Sequence, residues 1–395
     1  MMRKKYIYFD NNSTTRVDKD VAKEVYRYMR QCYGNASCAH NLGMLSDVAL
    51  QKAREIISDF LHVKSNEIYF SSGATESNNI LIKGFLIPFL ISGKVVHAIT
   101  SEIEHPSVLQ CFQELKKYFE NLYISYIKVD KNGRVDIDEF REAVIPETVF
   151  ASIMAANNET GNLQPIESIS EICKRNSIVF HTDATQLFGK YPEEFITNNI
   201  KNIDMISLSG HKINAPKGVG AFYLKEAIGE LFTFMSGGGQ EKGVRSGTEN
   251  IPGIVGLGKA IALLKKQPPS YYESILSKKN LLNKEIVSIC HSNDIDIIVN
   301  TNQLSLVNTL NFSIPESLNK ELTSVEYFNN KGILLTGGSA CAAKKPVESY
   351  VLRAMGRTSQ ESSSAIRISL GKYNTSKEIN YFLEVFESYI LSLKH

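Results

Sequence analysis

From about residue 66 onward, hydrophobic and polar positions fall into alternating short and long units. "EIYFSSG" (67–73) is an apolar run of strand length that ends in small polar residues, and a pattern of helical period opens at Thr75. The same alternation continues with "KVVHAIT" (94–100), a helix from Pro106, "LYISYIKV" (122–129), a helix from Asp136, "TVFASIMAAN" (148–157), a helix from Pro165 and "SIVFHTDAT" (177–185). Asp204 to Leu208 and Val219 to Leu224 read as two further buried strands. Repeated βα units of this length predict an α/β fold, a mostly parallel sheet with helices on both faces. A glycine-rich stretch, "MSGGGQEKGVRSGTEN" (235–250), interrupts the rhythm, and from about Pro252 a helix opens a different one. The expected division is a large domain at 15–251 and a smaller α+β domain built from 1–14 and 252–395, with no internal repeat.

Composition narrows the function classes. The 395 residues are 43% hydrophobic, enough to fill two cores, and 44 Lys+Arg against 42 Asp+Glu leave a net charge of +2 with no block of like charge. A nucleic-acid or membrane surface is therefore not expected. The apolar run in "MMRKKYIYFDNNSTT" ends at Asp10, too short for a secretion signal, and no stretch approaches the length of a membrane span. Six cysteines lack the paired spacing of a zinc site and are few for a disulfide framework, which fits a reducing cytoplasm and no metal.

Candidate chemistry collects where the strands end. In "SSGATESNN" (71–79) the small residues Gly73, Ala74 and Thr75 open a helix whose backbone N–H groups and dipole suit a phosphate, although a capped helix with a flexible turn explains that stretch equally well by itself. It matches neither dinucleotide nor P-loop spacing. Asp183 ends a buried strand with Gln186 three residues on. Its carboxylate suits either a protonated ring nitrogen or a helix N-cap. His105 lies between a strand and a helix, where a lone histidine is more often structural. Lys212, in "DMISLSGHKINAPKGVGAFYL" (204–224), stands at a strand end ahead of a glycine turn. An amine, a strand-end aspartate, a phosphate-binding helix start and a histidine from βα ends are together the parts that pyridoxal phosphate requires.

Ten segments, in order, carry a closer likeness: "YFDNNSTT" (8–15), "GATESNN" (73–79), "EHPSV" (104–108), "ANNETG" (156–161), "HTDATQ" (181–186), "SLSGHK" (207–212), "PKGVGA" (216–221), "GGGQEKGVRSGTEN" (237–250), "GSAC" (338–341) and "IRISLG" (366–371). On these the chain resembles the cysteine desulfurases of the NifS/IscS type, in the class V aminotransferase group. The resemblance implies a pyridoxal-phosphate-dependent transferase fold of type I, with a seven-stranded, mostly parallel sheet in the large domain. It further implies that Lys212 holds the cofactor, His105 stacks on its ring, Asp183 pairs with the ring nitrogen and Gln186 with the ring hydroxyl. Thr75, Ser209 and His211 would hold the phosphate, and Thr248 would reach it from the neighbouring subunit of a homodimer. Asn35, Asn158 and Arg367 would bind the substrate, L-cysteine, with Asn158 contacting the cofactor as well and Arg367 clamping the substrate carboxylate.

By the same resemblance Cys341 is the nucleophile that takes the substrate sulfur as a persulfide, leaving alanine, and passes it to an acceptor protein whose identity the sequence does not give. The interval of 26 residues from Cys341 to Arg367 is the long-loop arrangement of the NifS/IscS group. Departures fall at Ala36 and Cys38, in "GNASC" (34–38), and at Thr336-Gly337. The chain stops at "ESYILSLKH" without the extended tail of housekeeping members, so docking to an iron–sulfur scaffold through such a tail is not expected. Selenocysteine lysis or another class V reaction is the alternative.

Overall fold

The computed structural model describes residues 6–319, 322–337 and 348–394. In chain order the elements are β1 (Ile7–Tyr8), α1 (Lys19–Arg30), α2 (Asn41–Leu61), β2 (Ile68–Ser71), α3 (Ala74–Ile91), β3 (Val96–Ser101), α4 (Pro106–Tyr118), β4 (Leu122–Ile127), α5 (Ile137–Glu142), β5 (Thr148–Ser152), α6 (Ile166–Arg175), β6 (Val179–Asp183) and α7 (Glu193–Ile200). They continue with β7 (Met205–Ser209), β8 (Gly220–Leu224), α8 (Ile251–Lys265), α9 (Pro269–Ser292), β9 (Ile298–Val299), β10 (Thr309–Ser313), α10 (Ser324–Asn330), β11 (Ile333–Leu334), β12 (Thr336–Gly337), α11 (Tyr350–Ala354), α12 (Ser359–Ser363), β13 (Ala365–Ser369) and α13 (Ser376–Leu393).

Seven strands form the main sheet in the order β2-β8-β7-β6-β5-β3-β4. Strands β7, β6, β5, β3 and β4 run parallel to one another, and β8 is antiparallel to both β7 and β2. Strands covered on both faces read as continuous runs, which is why β7 and β8 show no alternation and every residue of both is buried. Helix starts are set locally. Asp136 caps α5 by accepting from the N–H groups of Asp138 and Glu139, and α4 begins at Pro106 behind His105.

The second sheet is antiparallel, in the order β12-β13-β10-β9. Its core gathers α9, α13 and the aromatic rings of Phe9, Phe312, Phe328, Phe382 and Phe386. Phe9 meets Phe382 edge-on at 5.8 Å, tying the N-terminal segment to this core. Helix α8 behaves differently from the division at residue 252. Its apolar face, Ile254, Leu257 and Ile261, joins the first core, where the helix packs on α1 and α2. The change of core comes one helix later than the change of rhythm, at α9, because an apolar helical repeat is the same whichever surface it covers.

Candidate active site

The C-terminal ends of the parallel strands open into a cavity of about 610 Å³. Its floor is set by backbone contacts. β2 ends at Ser71, and the turn at Gly73 takes φ +154°, which favours glycine, before α3 begins at Ala74. A Cβ on Gly220, at the start of β8, would come within 2.6 Å of Gly73 Cα, so two glycines let the antiparallel strand lie against the helix start. Gly73, Ala74 and Thr75 line the cavity there, with Ser209 from the end of β7 and His211 from the single turn that follows it. The positive end of an 18-residue helix thus lies at the site.

Lys212 closes that turn. Its Nζ donates to the backbone carbonyls of Asn12 (2.6 Å) and Ser13 (2.8 Å), with no carboxylate of the described residues in contact. Burial lowers the amine from 10.5 to about 8, Arg367 pushes it the same way, and Asp10 and Asp183 act in the opposite direction. An amine near neutrality in a cleft is poised for nucleophilic and proton-carrying work. His211 is pushed down to about 4 by burial, with Lys212 and Lys217 adding to the effect, so it contributes hydrogen bonds and not charge at neutral pH.

One hydrogen-bond chain orients Asp183 and His105. The Asn78 amide, from α3, donates to Asp183 Oδ2 at 2.9 Å and to Ser107 Oγ at 2.8 Å. Ser107 in turn contacts His105 Nδ1 through its Oγ at 2.8 Å and donates its backbone N–H to the same nitrogen at 3.1 Å. Nδ1 is therefore an acceptor, and the proton of the neutral ring sits on Nε2. Burial is the first cause that keeps His105 below its ordinary pKa. Thr185 N holds the other oxygen of Asp183 at 3.0 Å.

The opposite wall comes from β13 and the N-terminal segment. Arg367 is almost fully buried; its Nη2 donates to Asp10 Oδ1 and Ser13 Oγ, both at 2.7 Å, and its Nη1 to the Asn158 carbonyl at 2.8 Å. Arg367 Nε, Asn158 Oδ1, Thr185 Oγ1 and Gln186 Oε1 are buried without a partner among the described residues, and all four residues line the same cavity. Orphaned polar atoms are rare in folded proteins, and four around one cavity mark a place for a polar ligand. Together with an amine, a carboxylate at a buried strand end and an open helix start, they fit pyridoxal phosphate.

The structure brings together Gly73, Ala74, Thr75, His105, Asn158, Asp183, Gln186, Ser209, His211, Lys212 and Arg367 around one cavity. Thr248 is not among them: it lines a separate small cavity with Ser71, Ser72 and Arg245. Asn35 is exposed, and its Oδ1 accepts from Ser37 N at 2.9 Å, away from the cleft. Cys341 lies outside the described residues. Sequence reasoning assigned no role to Asn12, Ser13 and Thr14, which line the cavity, or to Asn78 and Ser107, which orient its acid and base. Asn78 carried a usable signal, an amide four residues into a helix that is otherwise apolar on that side.

Residues 7–382 match the aminotransferase class-V family, and the chain belongs to it. Its relatives within that family are cysteine desulfurases. The chain is 39% identical over 393 residues to the cysteine desulfurase IscS of Methanosarcina thermophila, covering 99% of this chain and 93% of the relative. A solved NifS-like protein superposes with a TM-score of 0.85 at 35% identity, covering 98% of this chain and all of that one. SspA, solved in complex with cysteine, gives 0.78 at 34% identity, covering 93% and 100%. Among the described residues no helix is long and apolar enough to cross a membrane.

Proposed function

We propose that this cleft converts L-cysteine to L-alanine with pyridoxal phosphate held by Lys212, and that Cys341 takes the sulfur as a persulfide for delivery to an acceptor protein. The observation that supports the reading most is the placement of Lys212, Asp183, His105 and Arg367 around one cavity in a chain whose relatives are cysteine desulfurases. Bound to the Lys212 amine, the cofactor supplies an electron sink that makes the α-hydrogen of cysteine acidic and its sulfur transferable.

Gly73, Ala74, Thr75, Ser209 and His211 form the phosphate seat, and Asp183 keeps a third acceptor direction for a ring N–H. Gln186 presents a free acceptor oxygen to the ring hydroxyl. His105, neutral and with its proton on Nε2, offers a flat face over the ring. Arg367 Nε, the guanidinium nitrogen without a partner among the described residues, suits the substrate carboxylate, and Asn158 Oδ1 belongs to the same cavity. When not joined to the cofactor, the Lys212 amine would carry protons, because an amine lowered to about 8 gives and takes them readily at neutral pH.

Sulfur transfer conserves atoms. The Cys341 thiolate forms the S–S bond as the carbon–sulfur bond breaks, and the freed carbon takes up a proton and leaves as alanine. The working unit in this reading is a homodimer in which Thr248 serves the partner's phosphate seat, with the protein in the cytoplasm. Cys341→Ser tests the sulfur step. It is expected to keep the cofactor's visible absorbance and the spectral response to cysteine while alanine production falls by roughly 10³-fold, since a hydroxyl is a far weaker nucleophile than a partly ionised thiol. Alanine formation at the wild-type rate would remove Cys341 from the mechanism.

A further inference from the structure

Two buried carboxyl groups stand beside the cleft without lining it. Glu104 directly precedes His105. It is fully buried, and its Oε1 accepts from Ser101 Oγ at 2.7 Å and Met154 N at 2.8 Å. Glu159 directly follows Asn158 and is 3% exposed. Burial pushes the first carboxyl up to about 8 and the second up to about 7. Neither belongs to the proposed chemistry, yet both residues mark where one short helix is fastened.

That helix is α11, and its N-cap and first residue make the contacts. Ser349, its N-cap, accepts from Leu352 N at 3.1 Å and donates its hydroxyl to Glu159 Oε2 at 2.5 Å. Tyr350 donates its hydroxyl to the Glu104 backbone carbonyl at 2.6 Å. The loop around Glu159 is itself fixed: its N–H reaches Asn157 Oδ1 at 2.9 Å, and its carbonyl accepts from Asn311, on β10, at 3.1 Å. Between the two fastenings Val351, Leu352 and Met355 pack on Ile103 and Met154 in a small apolar cluster. Apolar contact holds the helix by area and is indifferent to small slides, whereas two directional hydrogen bonds, one to a buried carboxyl group, fix its register.

The adjacent residues His105 and Asn158 line the cavity, and α11 is the first helix after Cys341 among the described residues. We propose that Glu159 and Tyr350 are positioning residues, which reference the chain where it returns from Cys341 to the two loops that present His105 and Asn158. The inference rests on the reading of Cys341 as the sulfur acceptor, and it adds two residues that touch neither cofactor nor substrate.

The test uses the full chain loaded with pyridoxal phosphate, in three variants. Glu159→Ala removes the acceptor of Ser349, Tyr350→Phe removes the second bond, and Glu159→Gln keeps an amide oxygen in the acceptor's place. The first-turnover rate of persulfide formation on Cys341 is expected to fall about tenfold in Glu159→Ala and about threefold in Tyr350→Phe, with cysteine KM and cofactor content within about twofold of wild type. Glu159→Gln restores the rate to within about twofold. Iodoacetamide labelling without added cysteine, read peptide by peptide, should change at Cys341 by at least about threefold in the first two variants while Cys32 is unaffected. Unchanged persulfide and labelling rates in both variants would overturn the proposal, as would a raised KM with an unchanged turnover rate. If the wild type forms no persulfide on Cys341, the desulfurase reading falls and labelling alone decides the positioning role. If Glu159→Ala does not fold, Tyr350→Phe decides it in the same way.

Discussion

The two walls of the cleft are built on different principles. On the wall formed by the main sheet, His105 and Asp183 are each held by a neighbour two residues on, Ser107 and Thr185 N, and Asn78 of α3 ties the two together. On the opposite wall the partners are remote. Arg367 is held by Asp10 and Ser13, and Asn12 donates to Thr309 Oγ1 at 2.8 Å. The first wall needs only the βα units of the main sheet, apart from Lys212 Nζ, which reaches Asn12 and Ser13; the second exists only after the chain's first residues have joined β10 and β13. Removing a group from the first wall should therefore change chemistry with little cost to folding. Removing one from the second should change both, because a buried ion pair that loses one partner leaves an uncompensated charge.

Lys212→Ala gives the largest separation of chemistry from folding. Alanine formation is expected to fall by at least about 10³-fold, and the lysine adduct reducible by borohydride should disappear, while denaturant unfolding of the cofactor-free protein keeps its midpoint or moves to higher denaturant. The amine makes only two hydrogen bonds to backbone carbonyls and is held in a partly desolvated place. A reducible adduct that persists in the variant would show that another amine carries the cofactor.

Arg367→Lys probes the remote wall and should show the mixed behaviour. A point charge replaces a fork whose Nη atoms already hold Asp10, Ser13 and the Asn158 carbonyl, so orientation is lost while charge is kept. The KM for cysteine is expected to rise about 10- to 100-fold with a smaller change in turnover rate, and unfolding stability to drop by about 1–3 kcal/mol. Stability equal to wild type alongside the raised KM would break the contrast between the walls, because the remote contacts would then matter to binding alone.

The same contrast explains what could be read from the sequence. The strands that end at Asp183 and Ser209, and the helix starts at Pro106 and Ala74, lie within a residue or two of where the hydrophobic pattern puts them, because short-range sterics and capping decide them. Asn12, Ser13 and Thr14 stood inside a quoted motif without an assigned role, since nothing local says that a segment near the N-terminus returns to the end of β7. Asn35 and Thr248 fall outside the cavity for a related reason: an exposed loop residue and a residue facing a separate small cavity carry no local mark of where a second chain would place them. The second core's boundary escaped because α8 shows the same apolar period on whichever core it packs.

The smallest effect sharpens the picture of the sheet-side wall, and its sign is set by the Lys212 amine. The folded protein holds this group at about 8, whereas a free lysine sits at 10.5. Below about 8 both folded and unfolded chains carry the proton, and the folded state bears the full cost of a buried charge facing Arg367, offset in part by Asp10 and Asp183. Between about 8 and about 10.5 the folded amine is neutral while the unfolded one stays charged. The unfolded state then binds more protons, and the contribution of this group to stability rises with pH. Cofactor-free Lys212→Met should therefore be more stable than cofactor-free wild type at pH 7 by about 1–3 kcal/mol, with the difference shrinking toward a constant by about pH 10.5. Lys279, lowered to about 8 by burial alone, adds a slope of the same sign that both proteins carry and that cancels in the difference, whereas Lys190, lowered to about 7 by burial with Lys212 adding to it, is relieved in part when Lys212 is replaced. Urea unfolding of the two cofactor-free proteins at three pH values across this range measures it. A difference that stays constant from pH 7 to 10.5 would mean that the Lys212 amine keeps the proton affinity of an exposed lysine, and proton transfer at neutral pH would need another carrier.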